Sequence, residues 1–135
     1  YEPHPTGLVE QLALAAFMKS GAYERHLRRM KRVYSRKYEL LSAALRERLG
    51  HVFETRPQDA GLHIYARWTG TREAYESLIE ACEARGVAWS DVSHERDGEW
   101  AGAAAFGFAG VEPAAIVSGI EAIAAAEAEL RKERR

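Results

Sequence analysis

The longest regular pattern in the chain runs from about Ala22 to Leu49. Leu27, Met30, Tyr34, Leu41 and Leu45 recur there at helical spacing, and Gly50 is a natural terminator. A helix of that span is about 40 Å long at a rise of about 1.5 Å per residue. The whole chain has 135 residues, enough for one domain and one core. A helix this long cannot lie wholly over so small a body. The pattern predicts that it packs on its own domain at one end and on something else at the other.

The rest of the chain is punctuated on both sides of this helix. Pro3, Pro5 and Gly7 keep the first residues out of a helix, and Thr6 suits an N-cap. Leu8, Leu12, Ala15 and Ala16 then share one helical face, until Ser20-Gly21 ends the element. After Gly50 the period changes. Val52–Thr55 reads as a short strand closed by Pro57-Gln58-Asp59. From Leu62 to Trp68 the alternation is clear, with Leu62, Ile64, Ala66 and Trp68 on one face and His63, Tyr65 and Arg67 on the other. Gly70-Thr71 is a turn and N-cap for a helix with the stripe Tyr75, Leu78, Ile79 and Cys82, stopping at Gly86. Val87–Ser90 reads as a strand, Asp91–Gly98 as a polar loop, and Ala103–Ala109 as a strand of small residues. Pro113 opens a last helix with the stripe Ile116, Ile120, Ile123 and Leu130. The order of elements predicts an α+β fold: a small antiparallel or mixed sheet covered by helices, with a long N-terminal helix.

Composition narrows the function classes. Charged residues make up 29% and apolar ones 47%, which excludes a disordered chain. Nineteen Lys+Arg against twenty Asp+Glu argue against a bulk charge built to hold nucleic acid. The single cysteine, Cys82, leaves no internal disulfide and no thiolate metal set. No apolar run is long enough to span a bilayer, and Glu2, His4 and two prolines stand where a signal peptide would be basic and then apolar. The expectation is a soluble, cytoplasmic domain. The chain opens at Tyr1 with helical periodicity close behind, so it is expected to be a segment of a longer protein, with residues 1–135 forming one domain and the helix within 1–21 packing on a missing larger one.

The residues that could carry chemistry are few. Arg25–Lys37 holds seven Lys/Arg plus His26, flanked by Glu24 and Glu39. This reads as the solvated side of an amphipathic helix rather than a phosphate-binding stripe, because no aromatic platform or loop motif accompanies it. The histidines His4, His26, His51, His63 and His94 show no metal-ligand spacing. His63 follows Gly61-Leu62 on a strand, so it either looks into a cleft or lines a polar sheet face. Cys82 lies on an apolar stripe, where a thiol acts as a small hydrophobe. Gly107 and Gly110 lack the spacing and the lysine of a phosphate loop. No nucleophile has a partnered base, so catalytic residues are expected to be absent from this chain.

Several stretches together resemble a known family. Gly21-Ala22-Tyr23-Glu24-Arg25-His26-Leu27-Arg28-Arg29-Met30, continuing to Tyr34, is similar to the signature helix in the C-terminal part of MocR-type regulators. These are bacterial proteins with a winged-helix GntR domain fused to a class I aminotransferase-like domain. Ala60-Gly61-Leu62-His63-Ile64 resembles their next strand motif. Gly86-Val87, then Gly107-Phe108-Ala109, then Ile116 with Gly119-Ile120 follow in the same order. The resemblance covers nearly the whole chain, and stand-alone aminotransferases of the aminoadipate type share much of it.

The resemblance implies the small domain of the fold-type I pyridoxal-phosphate fold. The lysine that carries the cofactor, the partner of the pyridinium nitrogen and the phosphate cup would all lie upstream of Tyr1. Lys19, Lys31, Lys37 and Lys132 fall on helical segments or their ends and match no such motif, so no cofactor is expected on this segment. In the enzymes an arginine two residues before the position of Gly107 pairs with the substrate carboxylate. Here that position is Ala105, and Ala103 and Ala104 are no substitute. His63 and Ala105 are thus the candidates at the effector or substrate cleft; a histidine there carries charge only when protonated. The implied function is the ligand-sensing segment of a MocR/GntR-type transcription regulator. The alternatives are the small substrate-binding domain of an aminotransferase and a cofactor-free α+β interaction module. The implied partners are an upstream large domain, a winged-helix DNA-binding domain, a second copy in a homodimer, and a small amine or amino acid. No membrane or direct nucleic-acid contact is expected from this segment.

Overall fold

The computed structural model of the chain describes residues 15, 16, 18–56 and 62–134, and the chain divides into two compact units, Tyr1–Ser35 and Arg36–Arg135. Its elements are α1 (Ala22–Leu49), β1 (Phe53–Thr55), β2 (His63–Trp68), α2 (Arg72–Ala84), β3 (Ser90–Asp91), β4 (His94–Arg96), β5 (Glu99–Ala101), β6 (Ala103–Gly107) and α3 (Pro113–Glu133). The fold is α+β with a long N-terminal helix, as the sequence predicts.

In the first unit, Gly21 sits at φ 79°, which breaks the chain direction ahead of α1. The Ser20 hydroxyl then accepts from the Ala22 amide at 3.3 Å. The part of α1 within this unit has no buried residue, and Leu27 and Val33 stand 38% and 44% exposed. The burial on α1 falls on Leu41, Leu45 and Leu49, in the second unit. Of the face expected from Leu8, Leu12, Ala15 and Ala16, the two leucines lie outside the described residues, and Ala15 and Ala16 are helical and exposed.

The second unit is built on a four-stranded sheet in the order β1-β2-β6-β3. Every pairing in it is antiparallel. Strand β2 alternates as its sequence predicts from His63 to Trp68, with Ile64, Ala66 and Trp68 buried and His63, Tyr65 and Arg67 exposed. Leu62, expected on the buried face, instead precedes the strand and is 47% exposed. The buried face meets apolar side chains from the helices: Tyr75, Leu78 and Cys82 of α2, and Ile116, Ile120 and Ile123 of α3. Burying such side chains is worth roughly 1.5–3 kcal/mol each for the larger ones. Phe53 is the centre of an aromatic cluster, edge-on to Trp68 at 5.2 Å and to Phe106 at 5.4 Å. Thr71 caps α2 by accepting from the Ala74 amide at 3.2 Å. The one buried ionisable carboxylate among the described residues, Glu127, is matched by His51 Nε2 at 3.1 Å and by Arg131 at 3.5 Å.

Two segments depart from the sequence reading. Val87–Trp89 is not a strand; pairing begins only at Ser90, because Val87 donates instead to Cys82 O at 2.9 Å in closing α2. Asp91–Gly98, read as loop, contains strand β4. It pairs with β5 as a two-stranded ribbon, His94 opposite Ala101 and Arg96 opposite Glu99. Asp97 at φ 54° and Gly98 at φ 82° make the tight turn.

Candidate functional site

Antiparallel pairing puts directly opposed residues on one face of a sheet. His63 is opposite Gly107, Tyr65 opposite Ala105, and Arg67 opposite Ala103. The face of the sheet turned away from the helices therefore carries three large polar side chains on β2 beside three small residues on β6. Ser90 of β3 pairs with Ala105 from the other side. Flanked in this way, the Ala105 methyl is only 4% exposed although it lies on the outward face. The two residues singled out from the sequence, His63 and Ala105, share this face, one register step apart.

Close packing sets the position of the imidazole. A Cβ placed on Gly107 would lie 3.3 Å from His63 Nε2, so the missing side chain is what lets the ring lie across β6. The His63 and Tyr65 rings are 6.4 Å apart and tilted by 33°. Arg67 forms an ion pair with Glu54 of β1 on the same face. Both partners are more than half exposed, so the pair contributes at most about 1 kcal/mol and the guanidinium can exchange to another anion. The face thus offers an imidazole, a phenol and a guanidinium around a floor of alanine and glycine. Sequence reasoning chose His63 and missed Tyr65 and Arg67. The signal was present, since both continue the polar phase of the same strand.

A second polar cluster sits where α2 meets the β4–β5 ribbon. The Tyr75 hydroxyl lies 2.9 Å from Ala103 O and 3.2 Å from Asp91 Oδ1, and it accepts from Trp89 Nε1 at 3.2 Å. Burial pushes the phenol up to about 12. Burial also acts to raise Asp91, but hydrogen bonds from Ser93 and Tyr75 outweigh it and hold the carboxyl below its ordinary value. Arg72 bridges Glu76 at 3.0 Å and Glu95 at 3.2 Å, and covers the Trp100 ring. The donors and acceptors here satisfy one another, which makes the cluster a fastening for the ribbon. Cys82 is fully buried, and its thiol is pushed up to about 11 by that burial, so it packs as a hydrophobe. Among the described residues no group of three or more His, Cys, Asp or Glu could hold a metal ion. No described helix is long and apolar enough to cross a membrane.

No family model matches the chain. Individual relatives do. The probable rhizopine catabolism regulatory protein MocR of Rhizobium meliloti is 32% identical over 129 residues, covering 91% of this chain and 25% of that protein. An uncharacterised HTH-type transcriptional regulator of Bacillus subtilis, YdeL, is 32% identical over 124 residues, covering 86% of this chain and 25% of its own length. The chain therefore spans about a quarter of these relatives. Among solved structures, the α-aminoadipate aminotransferase LysN of Thermus thermophilus, complexed with N-(5'-phosphopyridoxyl)-L-leucine, matches 90% of this chain and 31% of its own with a TM-score of 0.71 at 20% identity. The kynurenine aminotransferase of Pyrococcus horikoshii matches 84% of this chain and 28% of its own at a TM-score of 0.66 and 18% identity. At such identities the likeness is one of fold. Along nearly the whole of its own length the chain is thus similar in sequence to MocR-type regulators, and it shares the fold of a part of the aminotransferases.

Proposed function

We propose that this chain is the small, ligand-facing domain of a longer aminotransferase-like protein, and that it presents the outward sheet face to an amino compound held by an upstream domain. The observation that carries the reading is the register that sets His63, Tyr65 and Arg67 beside Gly107, Ala105 and Ala103. A polar shelf over a floor of small residues leaves room for a ligand and supplies donors at its rim. Residues 1–21 and the exposed part of α1, with Leu27 and Val33, are assigned to contact with the upstream domain.

Fold likeness to the aminotransferases supports the substrate-domain form of this proposal. The regulator form, in which the same face senses an effector for an attached winged-helix DNA-binding domain in a homodimer, draws on relatives described as regulatory proteins. It also draws on Ala105, since a sensor need not grip its ligand as an enzyme grips a substrate. Pyridoxal phosphate is assigned to the upstream domain, where its electron-withdrawing ring would supply the chemistry. The residues of this chain do not fit a cofactor seat. Lys37 donates to Ala109 O at 3.1 Å, Lys19, Lys31 and Lys132 are exposed on helical segments, and no lysine lies on the outward face. This chain's own part is to bind and orient: Arg67, released from Glu54, is the cation nearest in register to the place an arginine would hold, and His63 and Tyr65 offer hydrogen bonds.

The test uses the full-length protein and a matched pair of ligands, an amine and the amino acid that differs from it only by the carboxylate. Calorimetry on the wild type is expected to show little preference between them. Ala105→Arg is expected to favour the amino acid by about 10–100-fold, the worth of one charge-assisted fork. A wild type that already prefers the amino acid strongly, with no gain from the arginine, refutes the assignment. A winged-helix segment upstream, with DNA binding that changes with the ligand, decides for the regulator.

A further inference from the structure

On the side of the sheet opposite the His63–Ala105 face, a cleft of about 300 Å³ opens between α1 and the end of β1. Tyr38, Ser42 and Arg46 line one wall at successive intervals of four residues, so they form one stripe of the helix. Thr55 and Arg56 line the other wall, and the buried Ile64 supplies the apolar side. Among the described residues of this lining there are two arginines, three hydroxyl-bearing side chains and no carboxylate. Neither guanidinium makes an ion pair or a hydrogen bond with a described residue, which is equally true of Arg36, Arg48 and Arg96; what sets Arg46 and Arg56 apart is that both line this cleft. Lys37, close by in sequence, is spent on Ala109 O.

A lining whose charged groups only donate, and whose hydroxyls can donate as well, suits a ligand rich in acceptors. A carboxylate is planar and can be saturated by one guanidinium fork. Two arginines on separate elements, with hydroxyl-bearing residues on both walls, suit a tetrahedral group of higher charge. We infer that the cleft between α1 and β1 is a binding site for a small phosphate-bearing anion, with Arg46 and Arg56 as its two cationic walls. This site is independent of the proposed ligand face, because Thr55 and Ile64 belong to the opposite face of the sheet from Glu54 and His63.

The experiment titrates the 135-residue chain at low ionic strength with inorganic phosphate, phenyl phosphate and benzoate, following amide shifts by NMR. Phosphate and phenyl phosphate are expected to bind saturably at one site with Kd of about 1 mM, and benzoate at least about tenfold more weakly. Shifts should centre on Ser42 and Thr55. Binding of both phosphates assigns recognition to the phosphate group itself, and binding of phenyl phosphate alone assigns it to an organic ester. Arg46→Gln and Arg56→Gln should each weaken binding at least about tenfold without altering the circular dichroism spectrum, while Arg48→Gln on the same helix should bind as the wild type does. The inference is overturned if no saturable binding occurs, if benzoate binds equally, if the shifts lie elsewhere, or if Arg48→Gln loses as much as the other two. Because the shift map is read on the wild type, a variant that fails to fold does not remove the test.

Discussion

Replacing Tyr75 by phenylalanine removes one buried oxygen and leaves the aromatic packing in place. In the folded chain that ring is 1% exposed and stacks near Trp68 at 5.4 Å and Trp100 at 5.7 Å, contacts that phenylalanine keeps. The lost hydroxyl served three groups. Ala103 O still accepts from the Val92 amide at 2.9 Å, and Asp91 Oδ1 still accepts from the Ser93 amide at 3.0 Å. The Trp89 indole N–H, which donated to the hydroxyl at 3.2 Å, is left without its acceptor. One net hydrogen bond at about 1 kcal/mol plus an orphaned, half-buried donor at about 1 kcal/mol gives a loss of roughly 2 kcal/mol. With an unfolding entropy of about 2.1 cal/mol/K per residue, this chain's Tm should fall by about 7 °C.

The same oxygen has a pH signature. The phenol is raised from 10.0 to about 12, chiefly by burial, so the folded state favours the neutral form. Its contribution is complete below pH 10, where the unfolded chain is also protonated, and is lost as pH rises through about 12. Two pH units correspond to at most about 2.7 kcal/mol. Urea unfolding followed by circular dichroism at neutral pH and across the alkaline range is the assay, with wild type and Tyr75→Phe compared at each pH. The variant should start lower and lose less on the way up. Equal stability at neutral pH, or parallel alkaline curves, refutes the reasoning.

Two further outcomes follow from burial and backbone conformation. Cys82, fully buried and with its thiol raised to about 11, should not react with a disulfide reagent in the native chain and should react at the rate of unfolding when urea is added. Gly98→Ala should destabilise the β4–β5 ribbon by about 1 kcal/mol because φ 82° is strained for an L side chain, and proline scanning or amide exchange in residues 94–101 should report the loss locally.

Much of the architecture was legible because it is written in local periodicity. The Leu41–Leu45 part of the α1 stripe, the alternation of β2 from Ile64 to Trp68, the Thr71 cap and the stop at Gly86 each depend on residues a few positions apart, and the structure places them. Leu27, Met30 and Tyr34 of the same stripe, by contrast, are not buried. The β4–β5 ribbon was not legible that way. Residues 94–96 are exposed on both sides, so no apolar phase marks them as strand, and the only signal was the Asp97-Gly98 turn dipeptide. The early end of α2 against Val87 is likewise a competition for one carbonyl, Cys82 O, which composition does not express.

The candidate site divides along the same line. By itself the sequence determined that a polar phase of β2 contains His63, and that alanine stands at 105 where the resemblance implies an arginine. Only the tertiary structure decided that these two residues share a face, that Ala105 is covered by Tyr65 and Ser90, and that Arg67 stands two places along beside Glu54. The reason is physical. Which face a side chain occupies is set by its own strand, two residues per repeat, but its neighbours across the sheet are set by register between segments some 40 residues apart. That register is chosen by burial of Ile64, Ala66 and Phe106 on the other side of the sheet, and a one-residue slip would turn the polar shelf into the core.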